Sequence, residues 1–186
     1  MAAGGAQSAP ASIGVSAAIR DLRAGKTRDE PITIVGYVVR TNYAAAPACA
    51  VHAVGKADPP GCTAPVPTFW LADTATGSDE AIAVAGWASN FAQIYTMITR
   101  IDRAPKGEEA DVRQDDEFWG TELPNPLPEA GAKVTVTGTY GVTFTKSTRG
   151  VASDPKLGIM TAAKIEYLEP PRKKAALPGM RLRKRQ

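Results

Sequence analysis

The sequence predicts a mainly β fold built on a small five-stranded barrel. Three observations carry that expectation. The first is the stretch Pro31 to Arg40. Ile32, Ile34, Gly36 and Val38 share one face of it, and Thr33, Val35, Tyr37 and Val39 share the other. A period-two run that is apolar on both faces belongs to a strand covered on both sides or curled into a barrel. The glycine inside it marks a bend or a close backbone approach. The second observation is Lys133 to Phe144, which repeats that grammar around Gly138 and Gly141. The third is the order of the elements along the chain: three strands, a helix, then two strands.

Residues 1–11 are small and polar and read as a flexible, lipoprotein-like tether. They lack the basic start and apolar centre of an intact signal peptide, and no acceptor cysteine is present. Ser12 to Gly25 reads as a short helix. Ser12 can cap it, Ile13, Val15, Ile19 and Leu22 form its apolar stripe, and Gly25 stops it. Such a helix suits a plug or lid on the barrel. The first strand follows, then a long Ala/Pro/Gly-rich insertion over 41–67 that holds both cysteines and the one histidine. Thr68 to Asp73 is the second strand, 74–80 a turn, and Ala81 to Gly86 the third strand. Ser89 or Asn90 caps the next helix. Trp87, Phe91, Ile94, Ile98 and Ile101 lie along one face of it, and it ends near Arg103. A second insertion, 104–128, carries seven acidic residues against Lys106 and Arg113. Phe118, Trp119, Leu123 and Leu127 are positioned to pin it to the body. The fourth strand starts at Lys133, a polar loop spans 145–156, and the fifth strand is Leu157 to Leu168. Pro170 and Pro171 close the domain, 12–171.

Three strands, a helix and two strands is the order of an OB-fold, a five-stranded Greek-key barrel with a helix between strands three and four. Here an N-terminal helix precedes it. The run Ile32-Thr33-Ile34-Val35-Gly36-Tyr37-Val38 resembles the first strand of the anticodon-binding OB domain of class II aminoacyl-tRNA synthetases. Phe69 to Asp73, with Thr74 and Gly77 after it, resembles that family's second strand and glycine turn. The resemblance covers two strands and the overall order. It implies the fold; no catalytic domain follows, so it does not imply synthetase activity.

The composition is that of a globular chain, 44% hydrophobic over 186 residues. No apolar run nears the roughly 20 residues of a membrane helix. The net charge of +3 hides an asymmetry. Arg172, Lys173, Lys174, Arg181, Arg183, Lys184 and Arg185 make 172–186 a basic tail with no acid. Removing those seven from 22 basic residues leaves 15 against 19 acidic ones, so the body carries −4. A basic tail on an acidic body suggests that the tail binds something the body does not. It could grip nucleic acid or an anionic lipid surface, dock on a partner's acidic patch, or fold back on the acidic insertion. Met180 and Leu182 would suit a peptide that anchors in a groove. The plain alternative is a solvated tail.

Cys49 and Cys62 bracket part of the first insertion. The leading reading is a disulfide, which in the chain-entropy model contributes about 3 kcal/mol for a loop of about 15 residues. The alternatives are a zinc site of Cys49, His52, Asp58 and Cys62 and a pair of free thiols. A disulfide implies an oxidising compartment: the bacterial envelope or periplasm, or the exterior. Reduced cysteines would imply the cytoplasm.

Exposed aromatics are the other candidate site. With Phe69 and Leu71 facing the core, Trp70 points outward. Tyr37 and Tyr140 are expected out of phase with their strands' core residues. Barrels of this kind stack bases on such rings and follow the backbone with basic side chains; Arg40, Lys146, Arg149 and Lys156 could supply the charge. The acidic body opposes a phosphate partner, and the plain alternative is that these rings pack under the helices and the insertion.

No catalytic set is apparent. One histidine in a loop makes no triad, Asp115-Asp116 and Glu108-Glu109 read as surface runs, and no helix follows the glycines of the fourth strand to cradle a phosphate. The expectation is a non-catalytic OB-fold binding or assembly module without a cofactor, engaging protein partners in the bacterial cell envelope. The alternative is a single-stranded nucleic-acid binder.

Overall fold

The computed structural model describes residues 11–26, 30–77, 80–146, 151 and 154–183. The expected tether up to residue 10, and Arg149, Lys184 and Arg185, lie outside these. The chain runs β1 (Ser12–Gly14), α1 (Val15–Arg23), β2 (Ile32–Thr41), β3 (Phe69–Ala72), β4 (Ile82–Ala85), α2 (Phe91–Arg103), β5 (Lys133–Gly141) and β6 (Ile159–Glu169). One-turn 3-10 helices at Tyr43–Ala45, Ala48–Ala50 and Glu109–Asp111 punctuate the two insertions.

The six strands form one mixed sheet. β2, β3 and β4 are antiparallel neighbours; β4 pairs parallel with β6, β6 antiparallel with β5, and β5 antiparallel with β2. The pairings thus return to their starting strand. Short β1 lies parallel to the first half of β2, through Thr33 to Val35, while β3 pairs with its second half.

Strand phase follows the hydrophobic pattern. In β2, Ile34, Gly36 and Val38 are buried; in β5, Val134, Val136, Gly138 and Tyr140 are. Glycines permit close approaches, two of them within the paired strands β2 and β5. A Cβ on Gly36 would lie 2.9 Å from both the Ala72 carbonyl oxygen and a Val15 methyl. One on Gly138 would lie 2.0 Å from the Thr161 carbonyl oxygen, and β6 shifts register opposite this point. α2 is bounded as its apolar face predicts. The Asn90 side chain accepts from the Gln93 amide at 3.2 Å, and Phe91, Ile94, Met97 and Ile98 are buried. The preceding Trp87 is buried too, against Tyr43 and Phe69.

The N-terminal segment differs from expectation. Ser12 and Ile13 belong to a strand, and the helix starts at Val15 with no side-chain cap of its own. Its cap comes from across the fold. Asp73, just past β3, accepts from the amides of Val15 at 2.7 Å and Ser16 at 2.9 Å, and from the Ser16 hydroxyl. A carboxylate at a helix N-terminus satisfies orphan donors and opposes the helix dipole. The helix then buries Val15, Ala18 and Ile19 against the sheet.

Burial pushes the Asp73 carboxyl up, but the Ser16 hydroxyl and the two amides outweigh it and hold its pKa below the ordinary value. A group with a depressed folded-state pKa contributes stability that is present above its unfolded pKa of about 3.9 and is lost as pH falls through the folded value. Asp73→Ala is expected to cost about 1 kcal/mol at neutral pH. In urea denaturation followed by tryptophan fluorescence, the gap between variant and parent should narrow as pH drops below about 4. A gap independent of pH would contradict the capping role.

Candidate functional site

Cys49 and Cys62 are joined in a disulfide, with Cα atoms 5.9 Å apart. His52 pairs instead with Asp58, Nε2 to Oδ1 at 2.7 Å. The disulfide is the leading reading of the sequence; the alternative four-ligand zinc set is not assembled, because the two sulfurs are bonded to each other. Among the described residues no cluster of three or more His, Cys, Asp or Glu could hold a metal ion. The insertion is anchored at each end and in its middle. The Asn42 side chain donates to the Val66 carbonyl and accepts from the Thr68 amide, both at 2.9 Å. The Tyr43 hydroxyl donates to the Pro128 carbonyl at 2.7 Å, and the Val54 amide to the Thr96 hydroxyl at 3.0 Å. Burial pushes the Tyr43 phenol well above its ordinary pKa, so it remains a donor.

Two of the three aromatics expected to face outward do so. Phe69 and Leu71 are buried and Trp70 faces out, with the Arg40 guanidinium 4.5 Å from its ring centre. Tyr37 faces out beneath the Lys133 ammonium, at 5.1 Å. These pairs lie along registered strands: Arg40 opposite Trp70, and Lys133 opposite Tyr37. Tyr140 is not on this face. It shares the parity of Val134 and Val136, is buried, and donates to the Leu157 carbonyl at 2.6 Å; burial raises its pKa. Parity along β5 is the signal that places it inside.

Lys146 is not a free cation either. Its Nζ donates to the carbonyls of Gly86 at 2.7 Å and Ala162 at 3.3 Å, and lies 5.2 Å from the Trp119 ring centre. Burial lowers its pKa, partly offset by the charge of Asp116. Lys156 is exposed, as expected.

The acidic insertion is less of a solvated run than its composition implies. Asp116 is buried, and its carboxylate accepts from the amides of Ser89 at 2.6 Å and of Phe118 and Trp119 at 2.9 Å. Its location next to Asp115 hid this internal capping role. Leu123 and Leu127 pin the segment into the core and Trp119 packs on Phe144, but Phe118 is 72% exposed and pins nothing.

The basic tail folds back. Ala175 and Leu177 are buried, and Met180 and Leu182 pack against the core. The Arg183 amide donates to the Asp102 carboxylate of α2 at 3.2 Å. Met180 and Leu182, with Tyr95 and Thr99 of α2 and with Ala48 and Val51 of the first insertion, line one cleft. Arg172, Lys173, Lys174, Arg181 and Arg183 stay exposed on the outside of this strap.

Replacing Cys49 and Cys62 together by serine is expected to lower unfolding free energy by about 3 kcal/mol. It should also make the Ala53–Gly61 segment a preferred cleavage point in limited proteolysis. Unchanged stability would show that the hydrogen-bonded anchors alone hold the loop.

No family model and no curated protein matches the chain. Among solved structures, a chain assigned as an aspartyl-tRNA synthetase from Leishmania major Friedlin matches with a TM-score of 0.39 and 14% identity. The match covers 93% of this chain and 24% of that one, so this chain spans about a quarter of the matched chain's length.

Proposed function

We propose that the chain is a non-catalytic binding module of the OB type that engages a protein partner in an oxidising compartment such as the bacterial envelope. β2 to β6 supply the five barrel strands, α2 the helix between the third and fourth, and β1 an added edge. The observation that carries the reading is the Cys49–Cys62 disulfide, set in the connection between the first two barrel strands. That connection is one of the loops through which such barrels hold ligands, and disulfides persist in oxidising compartments.

The perturbed ionisable groups are engaged within the fold. Asp73 caps a helix and Lys146 ties two carbonyls. Tyr43, Tyr140 and Tyr167 each donate to a main-chain carbonyl. Each shift therefore has a structural cause, whereas a reaction centre turns shifted groups toward a substrate. No helix among the described residues is long and apolar enough to cross a membrane.

The second reading, single-stranded nucleic-acid binding, rests on the paired Arg40–Trp70 and Lys133–Tyr37 contacts. These place cations and rings together on one outer face, as base-stacking grooves do. Titration with a mixed-sequence single-stranded oligonucleotide at low salt separates the two. The protein-partner reading predicts no quenching of tryptophan fluorescence. Quenching that weakens steeply with added salt, and is lost in Trp70→Ala, would establish the second reading instead.

A further inference from the structure

We propose that the open edge of β6 takes an extended peptide from the partner as an added strand, in the cleft between that edge and Thr121–Asn125. This inference rests on the protein-partner reading above and names its site and mode of contact.

Two independent observations meet here. The first is topological. β4 pairs with β6 only at Ile159, Met160 and Thr161. From Ala162 to Glu169, β6 has a strand partner on the β5 side alone among the described residues. An unpaired edge presents a row of main-chain donors and acceptors that another strand can complete. The Ala162 carbonyl is already taken by Lys146, so the offered edge begins just beyond it.

The second observation is chemical. The cleft alongside this edge has a volume of about 350 Å³ and is lined by Trp87, Thr121, Asn125 and residues 162–165. The Trp87 Nε1 and Thr121 Oγ1 atoms are buried with no hydrogen-bond partner. An indole N–H can only donate, and a hydroxyl both donates and accepts. Buried polar groups in native proteins are nearly always satisfied; Ser89 Oγ and Gln114 Oε1 are unpartnered too, but of the four only Trp87 and Thr121 belong to the lining of this cleft. A peptide main chain supplies carbonyl acceptors and N–H donors at strand spacing, which matches both the orphans and the edge.

Charge decides between a peptide and an anionic polymer. Arg113 is paired with Glu122 on one wall at 3.2 Å, and Lys164 with Glu166 on the other at 2.9 Å. Both rims are internally neutralised, which suits an uncharged main chain and offers a phosphate backbone nothing. The exposed Lys164 and Glu166, with the register shift beside Ala163, also guard the edge against indiscriminate pairing.

The test uses the full chain with its disulfide intact and a random library of short peptides displayed on phage. Peptides recovered from it are titrated, as synthetic probes, into the ¹⁵N-labelled chain. The expected result is a set of shifts at the amides of residues 163–169 and at the Trp87 indole N–H. Trp87→Phe, which keeps the ring and removes the donor, should weaken binding roughly tenfold, the worth of one hydrogen bond. Thr121→Val provides a second, near-isosteric probe of the same cleft and should also weaken binding. Peptides that shift only the disulfide loop or the strap would overturn the cleft and leave the module reading standing. A library that yields no binder, from a chain that binds the oligonucleotide, would overturn both.

Discussion

The circuit of strands depends on two close approaches within it, at Gly138 and at Gly36. At Gly138, β5 crosses β6 so tightly that even a methyl group would collide with the Thr161 carbonyl. At Gly36, the second half of β2 turns to meet β3 while Val15 of α1 presses on the same point. These approaches let β2 serve β5 along one edge and both β1 and β3 along the other, so that the pairings return to their start. Every other feature is arranged around that circuit. The cross-strand Thr33–Thr137 hydroxyl pair, 2.8 Å apart, lies where β2 meets β5.

The two insertions and the strap are parts of the same packing problem. Leu123 and Leu127 from the acidic insertion, Tyr43 from the disulfide insertion and Leu177 from the strap all enter the core that α2 helps to build. Some of their polar groups pair locally, while Gln114 Oε1 and Thr121 Oγ1 are buried without a partner. Gln93, fully buried on α2, receives the Glu117 amide at 3.4 Å, and its carbonyl accepts from the Gln114 side chain at 2.9 Å. Burial is thus achieved by segments without regular structure, which is possible only because their main-chain groups find partners. The surface left over sorts into distinct chemistries: a cation–aromatic face on β2, β3 and the start of β5, a basic outer side on the strap, and a neutral cleft beside β6.

Period-two and helical patterns revealed the strands, the α2 face and the outward position of Trp70, because those depend on residues near one another in sequence. Contacts between distant segments were not legible. Nothing around Ser12 shows that its helix is capped by Asp73. The pair Asp115-Asp116 looks like a surface run until Ser89 is seen to donate to the second of them. Phe118 and Trp119 are adjacent aromatics, and only Phe144 decides which of them packs. The strap reads as basic because five exposed cations dominate it, while Ala175 and Leu177, too few to form a pattern, hold it down. Tyr140 is different: its parity with Val134 and Val136 was in the sequence all along. The open edge of β6 could not be read, since it depends on where β4 stops.

The proposed binding role in an oxidising compartment stands on the Cys49–Cys62 disulfide. The most direct test is the intact mass of the protein isolated from its native cells, with thiols alkylated before and after reduction. No alkylation is expected before reduction and two additions after it, at Cys49 and Cys62. Two additions without reduction would place the protein in a reducing compartment and remove the support on which the protein-partner reading stands.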